Sequence, residues 1–408
     1  MRITKFSKVG GLSLILATGV VASACSSSSS SSSHAAAPKT SKAASGPASL
    51  SATSFTNSFT AMTQLKSLAA AGKGKVAAIM PSTTSSTRYV EFDQPDIAKA
   101  LSMAGLPSSD IIVQNAQGSD STELTDAETD ITNGATVLMI DPRDSGVGTQ
   151  IESYAKSHGV PVIDYDRITL GGSRSYYVSF NNVQVGKLIG QGLVSCVAAW
   201  HVAKPQVVVM HGAATDNNAT LFAQGYDAVL QPYFSSGKWV DVVNTADTWD
   251  PPTALTEFEA AYTAHPNINA ALIPNDETGA PIISYLQSHG VRPKTFPTTG
   301  QDATLTGLQN VLSGYQCGTA YKPIYLEAQA ASALAIYLRA GKTPPSGLVN
   351  GTTEDTTSHT QVPSVLLTPE WVTPANMNAT IVKDNFVPVS QLCSGSYAAD
   401  CKAAGINP

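Results

Sequence analysis

Residues 137–167 read VLMIDPRDSGVGTQIESYAKSHGVPVIDYDR, and the alternation of apolar and amphipathic segments in them indicates the class of fold. The apolar run Val137–Ile140 is followed by the amphipathic segment Ile151–Ala155 and then by a second apolar run, Val160–Ile163. Short apolar runs separated by helices are typical of β-α-β units, whose parallel strands are covered on both faces. The stretch therefore predicts an α/β protein with a parallel sheet.

The same alternation extends in both directions along the chain. Roughly ten apolar runs are more than one doubly wound sheet comfortably holds, so we expect two Rossmann-like lobes with a break near Phe180–Asn182. The runs that predict strands are Val76–Met80, Ile111–Val113, Val137–Ile140, Val160–Ile163, Tyr176–Phe180, Val207–Met210, Val240–Val243, Ala270–Ile273, Phe296–Thr298 and Thr319–Tyr321.

The composition limits the number of domains and the class of partner. The chain has 408 residues, a length that suggests two or three domains. Its 24 Lys and Arg residues against 30 Asp and Glu residues give a net charge of −6, and no basic run follows the N-terminal residues. An acidic chain without a basic patch argues against nucleic acid as a partner.

The N-terminus has the features of a bacterial lipoprotein signal peptide over residues 1–24. Three positive charges precede an apolar core of about 11 residues, which is too short for the roughly 20 residues of a membrane-spanning helix. An ordinary buried helix is the alternative. The segment Ala22–Ser23–Ala24–Cys25 resembles a lipobox, which implies that Cys25 is lipidated and becomes the first mature residue.

A serine-rich stretch follows over residues 25–54. Ser26–Ser33 is an unbroken serine run, and such a composition cannot bury enough apolar surface to fold. We therefore expect a disordered tether that holds an extracytoplasmic lipoprotein to the cell membrane.

Charged residues make up only 13% of the chain, yet they are concentrated directly after the predicted strands. Ligands of open parallel sheets bind beyond the carboxyl ends of the strands. Carboxylates, amides and Arg forks suit vicinal hydroxyl groups, and an aromatic face suits the C–H face of a sugar ring. The pattern favours a neutral polyhydroxylated ligand, while helix capping is the alternative for any single Asp or Asn.

The sequence lacks the motifs of the common catalytic and cofactor sites. It contains no Gly-x-Ser-x-Gly elbow, no P-loop, no His-Glu-x-x-His pair and no Gly-x-Gly-x-x-Gly after a strand. We therefore expect a protein that is not an enzyme and has no cofactor and no metal site. Asp164 and Asp166 form a weak glycosidase candidate, because residues two apart on an extended segment point to opposite faces.

Eight short motifs, taken in order, resemble those of the D-xylose-binding proteins of bacterial ABC importers. The resemblance runs from about Lys75 to Val387. The motifs are Asp164–Tyr165–Asp166–Arg167, Tyr177–Val178–Ser179–Phe180–Asn181–Asn182, Asp216–Asn217–Asn218–Ala219, Trp249–Asp250–Pro251, Pro274–Asn275–Asp276, Gly300–Gln301–Asp302–Ala303, Tyr321–Lys322–Pro323 and Val362–Pro363–Ser364.

This resemblance implies a type I periplasmic-binding fold, in which two lobes joined by a three-segment hinge close on one sugar. It implies a first lobe over residues 75–181 plus 323–361 and a second lobe over residues 182–322 plus 362–408. The ligand-binding residues that it implies are Arg88, Tyr89, Asp166, Arg167, Asn218, Trp249, Asn275, Asp302 and Lys322.

Two departures from the family pattern concern the ligand. Tyr89 stands where the family has Trp, and the loop Ser82–Thr87 is rich in hydroxyl groups where the family has acidic residues. Both changes touch the expected site, so the preferred sugar can differ from xylose.

The four cysteines after Cys25 allow three disulfide connectivities. Cys393 and Cys401 enclose a short polar loop and form the stronger candidate pair, with free thiols as the alternative. Cys196 and Cys317 lie in the same expected lobe and are the weaker pair.

The resemblance implies a monomeric receptor that captures a monosaccharide, a xylose-like pentose first of all, and delivers it to an ABC transporter permease. The alternatives are a sugar sensor that signals to a membrane partner and a secreted carbohydrate-active enzyme. A sugar-responsive repressor shares this fold, but it needs a basic helix-turn-helix where this chain has a signal peptide and a serine run.

Overall fold

A computed structural model describes residues 47, 49–245 and 249–407 of the chain. The expected signal peptide, the lipidation site Cys25 and the expected tether up to residue 46 lie outside the described residues. The strands are β1 (Lys75–Met80), β2 (Ile111–Asn115), β3 (Ala135–Ile140), β4 (Val162–Tyr165), β5 (Tyr176–Phe180), β6 (Gln206–Val209), β7 (Val240–Asn244), β8 (Ala270–Leu272), β9 (Thr319–Tyr321), β10 (Gly351–Asp355), β11 (Thr360–Leu367) and β12 (Glu370–Val372).

Helices connect most of these strands. Two π-helical turns at Tyr89–Asp93 and Asn378–Val382 and several short 3-10 turns accompany them. The α-helices are α1 (Lys66–Ala71), α2 (Gln94–Met103), α3 (Asp120–Thr132), α4 (Ser145–Ser157), α5 (Asn182–Ala199), α6 (Asn217–Ser235), α7 (Pro251–Ala264), α8 (Asp276–Ser288), α9 (Leu305–Ser313), α10 (Ile324–Arg339), α11 (Val389–Leu392) and α12 (Ala398–Ala403).

The first lobe is built on a seven-stranded sheet with the order β10-β11-β5-β4-β3-β1-β2. Every pair in it is parallel except the hairpin β10–β11. Strand β1, with the sequence KVAAIM, is buried along nearly its whole length, as a central parallel strand with helices on both faces requires.

The second lobe has a three-stranded parallel sheet with the order β7-β6-β8. Isolated bridges from Ala271 to Thr298 and from Gln301 to Ala320 continue it toward the antiparallel pair β9–β12. The run Phe296–Thr298 was expected to be a strand, but only the single bridge at Thr298 forms there. Helices α5 and α6 pack closely in this lobe, because a Cβ atom on Gly186 would lie 2.0 Å from the Phe222 carbonyl oxygen.

The chain passes between the two sheets at three places, which we call the hinge. The crossings lie between β5 and α5, between β9 and α10, and between β11 and β12. The expected lobe boundary at residue 361 is wrong, because β11 continues to Leu367 and its residues from Ser364 onward pair with β5.

Residue 47 and residues 49–65, which precede α1, form an N-terminal strap. Leu50, Phe55 and Phe59 are buried in the core, and the Thr56 carbonyl accepts a hydrogen bond from Gln329 of α10 at 2.9 Å. Asn57 donates to the Asp384 carbonyl of the second lobe at 3.2 Å. The expected tether therefore ends before Leu50, since apolar residues within the serine-rich stretch are enough to fold its last part onto the lobes.

Two disulfides are present among the described residues. Cys196 at the end of α5 is bonded to Cys317 just before β9, and Cys393 is bonded to Cys401. Within the described ranges, no helix is both long enough and apolar enough to cross a membrane.

Candidate functional site

The carboxyl ends of strands from both sheets meet at a cleft between the lobes. The cleft encloses a cavity of about 20 Å³, room for about one water molecule, so the lobes lie in close contact. All nine ligand-binding residues expected from the sequence line this one cavity: Arg88, Tyr89, Asp166, Arg167, Asn218, Trp249, Asn275, Asp302 and Lys322.

Five further residues line the cavity and were not predicted as ligands. They are Ser85, Ser86, Asp216, Phe222 and Gln301. Asp216 and Gln301 lie in polar strand ends that the sequence singles out. Phe222 lies one helical turn after Asn218 in α6, so helical spacing from that residue predicts its position.

Helix capping accounts for some of the polar residues at strand ends without excluding them from the site. Asp144 and Asp250 accept hydrogen bonds from the first turns of α4 and α7. Asp216 caps α6 and Asn275 caps α8 in the same way, yet both also line the cavity. The capping hydrogen bonds therefore hold the side chains of Asp216 and Asn275 at the edge of the cleft.

Arg88 lies fully buried at the start of the helix that follows β1. Its Nε and Nη2 donate to Asp93 at 2.9 and 2.7 Å, Nη1 donates to Asp166 at 3.1 Å, and Nη2 also donates to Glu327 at 3.0 Å. The π-helical turn Tyr89–Asp93 places Asp93 beside Arg88, because i and i+5 share a face in a π-turn. Three carboxyl groups therefore hold this guanidinium in one orientation.

Asp166 adopts a left-handed backbone conformation, with φ of 57°. Its carbonyl oxygen accepts hydrogen bonds from the hydroxyls of Tyr177 and Ser179 and from the Asn218 amide, at 2.8–3.0 Å. A non-glycine residue holds such a conformation only where its surroundings enforce it. These three donors therefore fix Asp166 against the cavity.

The side chain of Asp166 is an ionised acceptor at neutral pH. Burial opposes its ionisation, but the positive charges of Arg88, Lys322 and Arg167 outweigh burial and lower the pKa of Asp166 to about 2. The distance from Lys322 Nζ to Asp166 is 3.9 Å, and that from Lys322 Nζ to Asp302 is 2.9 Å.

A second network of hydrogen bonds and ion pairs positions the side chains of Tyr89 and Trp249. Asp216 accepts from the Trp249 indole Nε1 at 2.8 Å and lies 3.1 Å from Arg167 Nε. Arg167 also donates to the Tyr89 hydroxyl at 3.1 Å, and its guanidinium lies 5.8 Å from the Tyr89 ring centroid. Burial raises the pKa of Tyr89 well above its ordinary value, so the phenol is neutral and offers both a donor and an acceptor.

A larger hollow of about 890 Å³ lies outside the cleft. Phe59, Phe92 and Phe386 contribute to its walls. Although it is larger than the cleft cavity, none of the nine expected ligand residues lines it. We therefore take the cleft, where charged and aromatic groups from both lobes converge, as the candidate site.

Two lobes that meet at a cleft lined by ion pairs and three aromatic side chains define a receptor for a small ligand. Residues 76–343 match the family model described as a periplasmic binding protein domain, and the chain belongs to this family.

Relatives from bacteria align over most of the chain. The D-xylose-binding periplasmic protein of Escherichia coli (strain K12) is 37% identical over 287 residues, which are 69% of this chain and 83% of the relative. The multiple sugar-binding periplasmic receptor ChvE of Rhizobium radiobacter is 31% identical over 339 residues, which are 79% of this chain and 93% of the relative.

A solved structure supports the same fold. The carbohydrate transporter solute-binding protein of Chloroflexus aurantiacus, in complex with D-glucose, superimposes with a TM-score of 0.68 and 26% sequence identity over 78% of this chain and 97% of that one. The predicted type I periplasmic-binding fold and the resemblance to xylose-binding proteins are thereby confirmed. The family is one of substrate-binding proteins.

Proposed function

We propose that the protein is an extracytoplasmic solute-binding protein that captures a monosaccharide between its lobes and delivers it to an ABC importer. The observation that carries this proposal is the convergence of nine charged, amide and aromatic side chains on one cleft cavity. The relatives are D-xylose-binding and multiple sugar-binding periplasmic proteins, which supports a xylose-like pentose as the first ligand to test.

The electrostatics of the cleft favour a neutral polyol over an anion. A sugar hydroxyl both donates and accepts, so it can insert between Lys322 and Asp302 without leaving either charge unpaired. A negatively charged sugar would find no unpaired positive charge in the cleft. The three cationic side chains that line the cavity, Arg88, Arg167 and Lys322, are matched by three carboxyl groups that also line it, Asp166, Asp216 and Asp302.

Capture requires the lobes to separate and close again. A cavity of about 20 Å³ is too small for a pyranose ring, so the ligand enters when the hinge opens and the bound lobes stand slightly further apart. The sugar shifts the population toward the closed form only as far as its contacts with both lobes favour closure. The closed form then presents one surface made of both lobes to a transporter permease.

The lipid anchor at Cys25 is part of this proposal and raises the local concentration of the receptor at the membrane. The tether is long and serine-rich, which suits a domain that must reach a permease while it stays attached.

The test is the melting temperature of the full chain in the presence of D-xylose, L-arabinose, D-ribose, D-glucose, D-galactose and D-glucose 6-phosphate, which keeps the pyranose ring of D-glucose. A ligand at a hundred times its Kd adds about 2.7 kcal/mol to the free energy of unfolding. We expect at least one neutral sugar to raise the melting temperature and the phosphate ester to leave it unchanged. The Trp249→Ala variant should lose the shift, and a panel without any shift would overturn the proposal.

A further inference from the structure

The loop that follows β1 is held by the second lobe at three consecutive residues. Asn275 Nδ2 donates to the Ser85 carbonyl at 3.2 Å, and Ser86 Oγ donates to Asp302 Oδ2 at 3.1 Å. The backbone N–H of Thr87 donates to Glu277 Oε1 at 3.2 Å. Each of these bonds joins the first lobe to the second, so none of them can persist when the lobes separate.

Thr87 is also the residue from which the next helix starts. Its carbonyl accepts from the backbone N–H groups of Val90 and Glu91 at 3.1 and 3.0 Å. The side chain of Arg88, the residue before the π-turn, makes no capping hydrogen bond, and the first N–H groups of a helix need acceptors from elsewhere. The Glu277 carboxylate of the second lobe therefore supplies a cap to a helix of the first lobe, where negative charge is also favourable.

The capped segment leads directly into the ligand site. Arg88 and Tyr89 follow Thr87 without an intervening residue and line the cavity, whereas Thr87 and Glu277 do not line it. Glu277 thus fixes the backbone beside the site without lining the cavity itself.

We propose that Glu277 is a positioning residue that acts as a closure latch: it holds Thr87, at the end of the Ser85–Thr87 loop, against the second lobe in the closed form alone. The expected effect of the latch on sugar affinity rests on the proposed function. The latch itself rests only on the contacts between the two lobes. Because the bond exists in the closed form alone, it shifts the open–closed equilibrium toward closure.

The test compares Glu277→Ala and Glu277→Gln in the full chain, with D-xylose as the probe. Glu259→Ala is the matched control, since Glu259 is another half-buried glutamate on a helix of the second lobe. We expect Glu277→Ala to raise the Kd about tenfold, chiefly through faster dissociation, because the latch forms after encounter. Glu277→Gln keeps an acceptor oxygen and should recover most of the affinity, while Glu259→Ala should bind as the wild type does.

A second measurement separates the latch from the sugar. Small-angle scattering of the ligand-free proteins should show a larger radius of gyration for Glu277→Ala than for the wild type and for Glu259→Ala. If wild-type protein binds no sugar of the panel, the proposed function fails, and this comparison still decides the latch. Unchanged scattering together with an unchanged Kd, or equal weakening by Ala and Gln, would overturn the inference.

Discussion

The Arg88 guanidinium is gripped by Asp93 through two hydrogen bonds, from Nε at 2.9 Å and from Nη2 at 2.7 Å. The two residues are five positions apart along one π-helical turn, and both are fully buried. The hydroxyl of Tyr165 donates to the same Asp93 carboxylate. Asp93 therefore orients Arg88, which lines the cavity, although Asp93 does not line the cavity itself.

Replacing Asp93 with Asn should weaken both the fold and the ligand site. The amide keeps one acceptor oxygen but turns a donor toward the guanidinium, which retains only Asp166 and Glu327 as charged partners. Loss of part of a buried charge pair should lower the free energy of unfolding by about 1–3 kcal/mol. Urea unfolding measures this change, and calorimetry should show sugar affinity reduced about tenfold or more.

The control for this substitution is Asp96→Asn on the same stretch of helix. Asp96 lines the larger hollow outside the cleft, and the hydrogen bonds of the Arg88 side chain go to Asp93, Asp166 and Glu327 instead. Sugar affinity in this variant should remain that of the wild type. If Asp93→Asn and Asp96→Asn behave alike, Asp93 does not orient Arg88.

Gly212→Ala should displace the aromatic wall of the site. A Cβ atom on Gly212 would lie 2.2 Å from two carbon atoms of the Trp249 indole, so the ring would have to leave its present position. We expect sugar affinity to fall about tenfold, at a cost to stability of about 1–3 kcal/mol. Titration calorimetry and thermal unfolding measure the two effects.

Gly279→Ala is the matched control in the same lobe. A Cβ atom there meets its nearest neighbour, Ile273, at 3.5 Å, which is ordinary contact, and Ala is the better helix former. This variant should bind sugar normally and be at least as stable as the wild type. Normal sugar affinity in Gly212→Ala would show that sugar binding does not require Trp249 in its present position.

Much of the fold and the ligand site could be predicted from the sequence, because buried parallel strands and the polar residues after them have recognisable patterns. Strands such as Val137–Ile140 are buried on both faces, so they read as uninterrupted apolar runs. The residues directly after them, including Asp166 and Asn275, are polar and converge at the cleft because parallel strands end on the same edge.

The supporting residues could not be predicted in this way. Asp93 reaches Arg88 through a π-turn, Glu327 reaches it from α10 across the first lobe, and Glu277 reaches Thr87 from the other lobe. None of these spacings has a signature in the local sequence. The folding of residues 49–54 was missed because Leu50, which is buried, stands in a stretch with the composition of a tether.

The two disulfides should contribute unequally to stability. The Cys196–Cys317 bond joins residues 121 positions apart, whereas Cys393 and Cys401 are 8 positions apart. Loss of loop-closure entropy predicts a cost of about 5 kcal/mol for the double variant Cys196→Ala/Cys317→Ala and about 2.5 kcal/mol for Cys393→Ala/Cys401→Ala. Urea unfolding of the two double variants measures both costs, and the reverse order would contradict the entropic account.

Glu123 in α3 should make the protein less stable as the pH rises. Its side chain is completely buried, and burial is the main cause that raises its pKa to about 8, against the opposing hydrogen bond from the Arg143 backbone N–H. In the unfolded chain the carboxyl group loses its proton near pH 4.3. Between these two values the folded state binds more protons, so the free energy of unfolding falls as the pH rises from about 4 to about 8.

Glu123→Gln should remove this dependence, because the amide does not titrate. At pH 8 the variant should be more stable than the wild type by up to about 4–5 kcal/mol, and near pH 4.5 the advantage should disappear. Urea unfolding at several pH values between 4.5 and 8.5 measures the difference in the free energy of unfolding between the variant and the wild type. The other titrating groups are the same in both proteins, so their contributions cancel in this difference. Glu128→Gln in the same helix is the control, and parallel profiles for wild type and Glu123→Gln would show that Glu123 does not hold its proton in the folded protein.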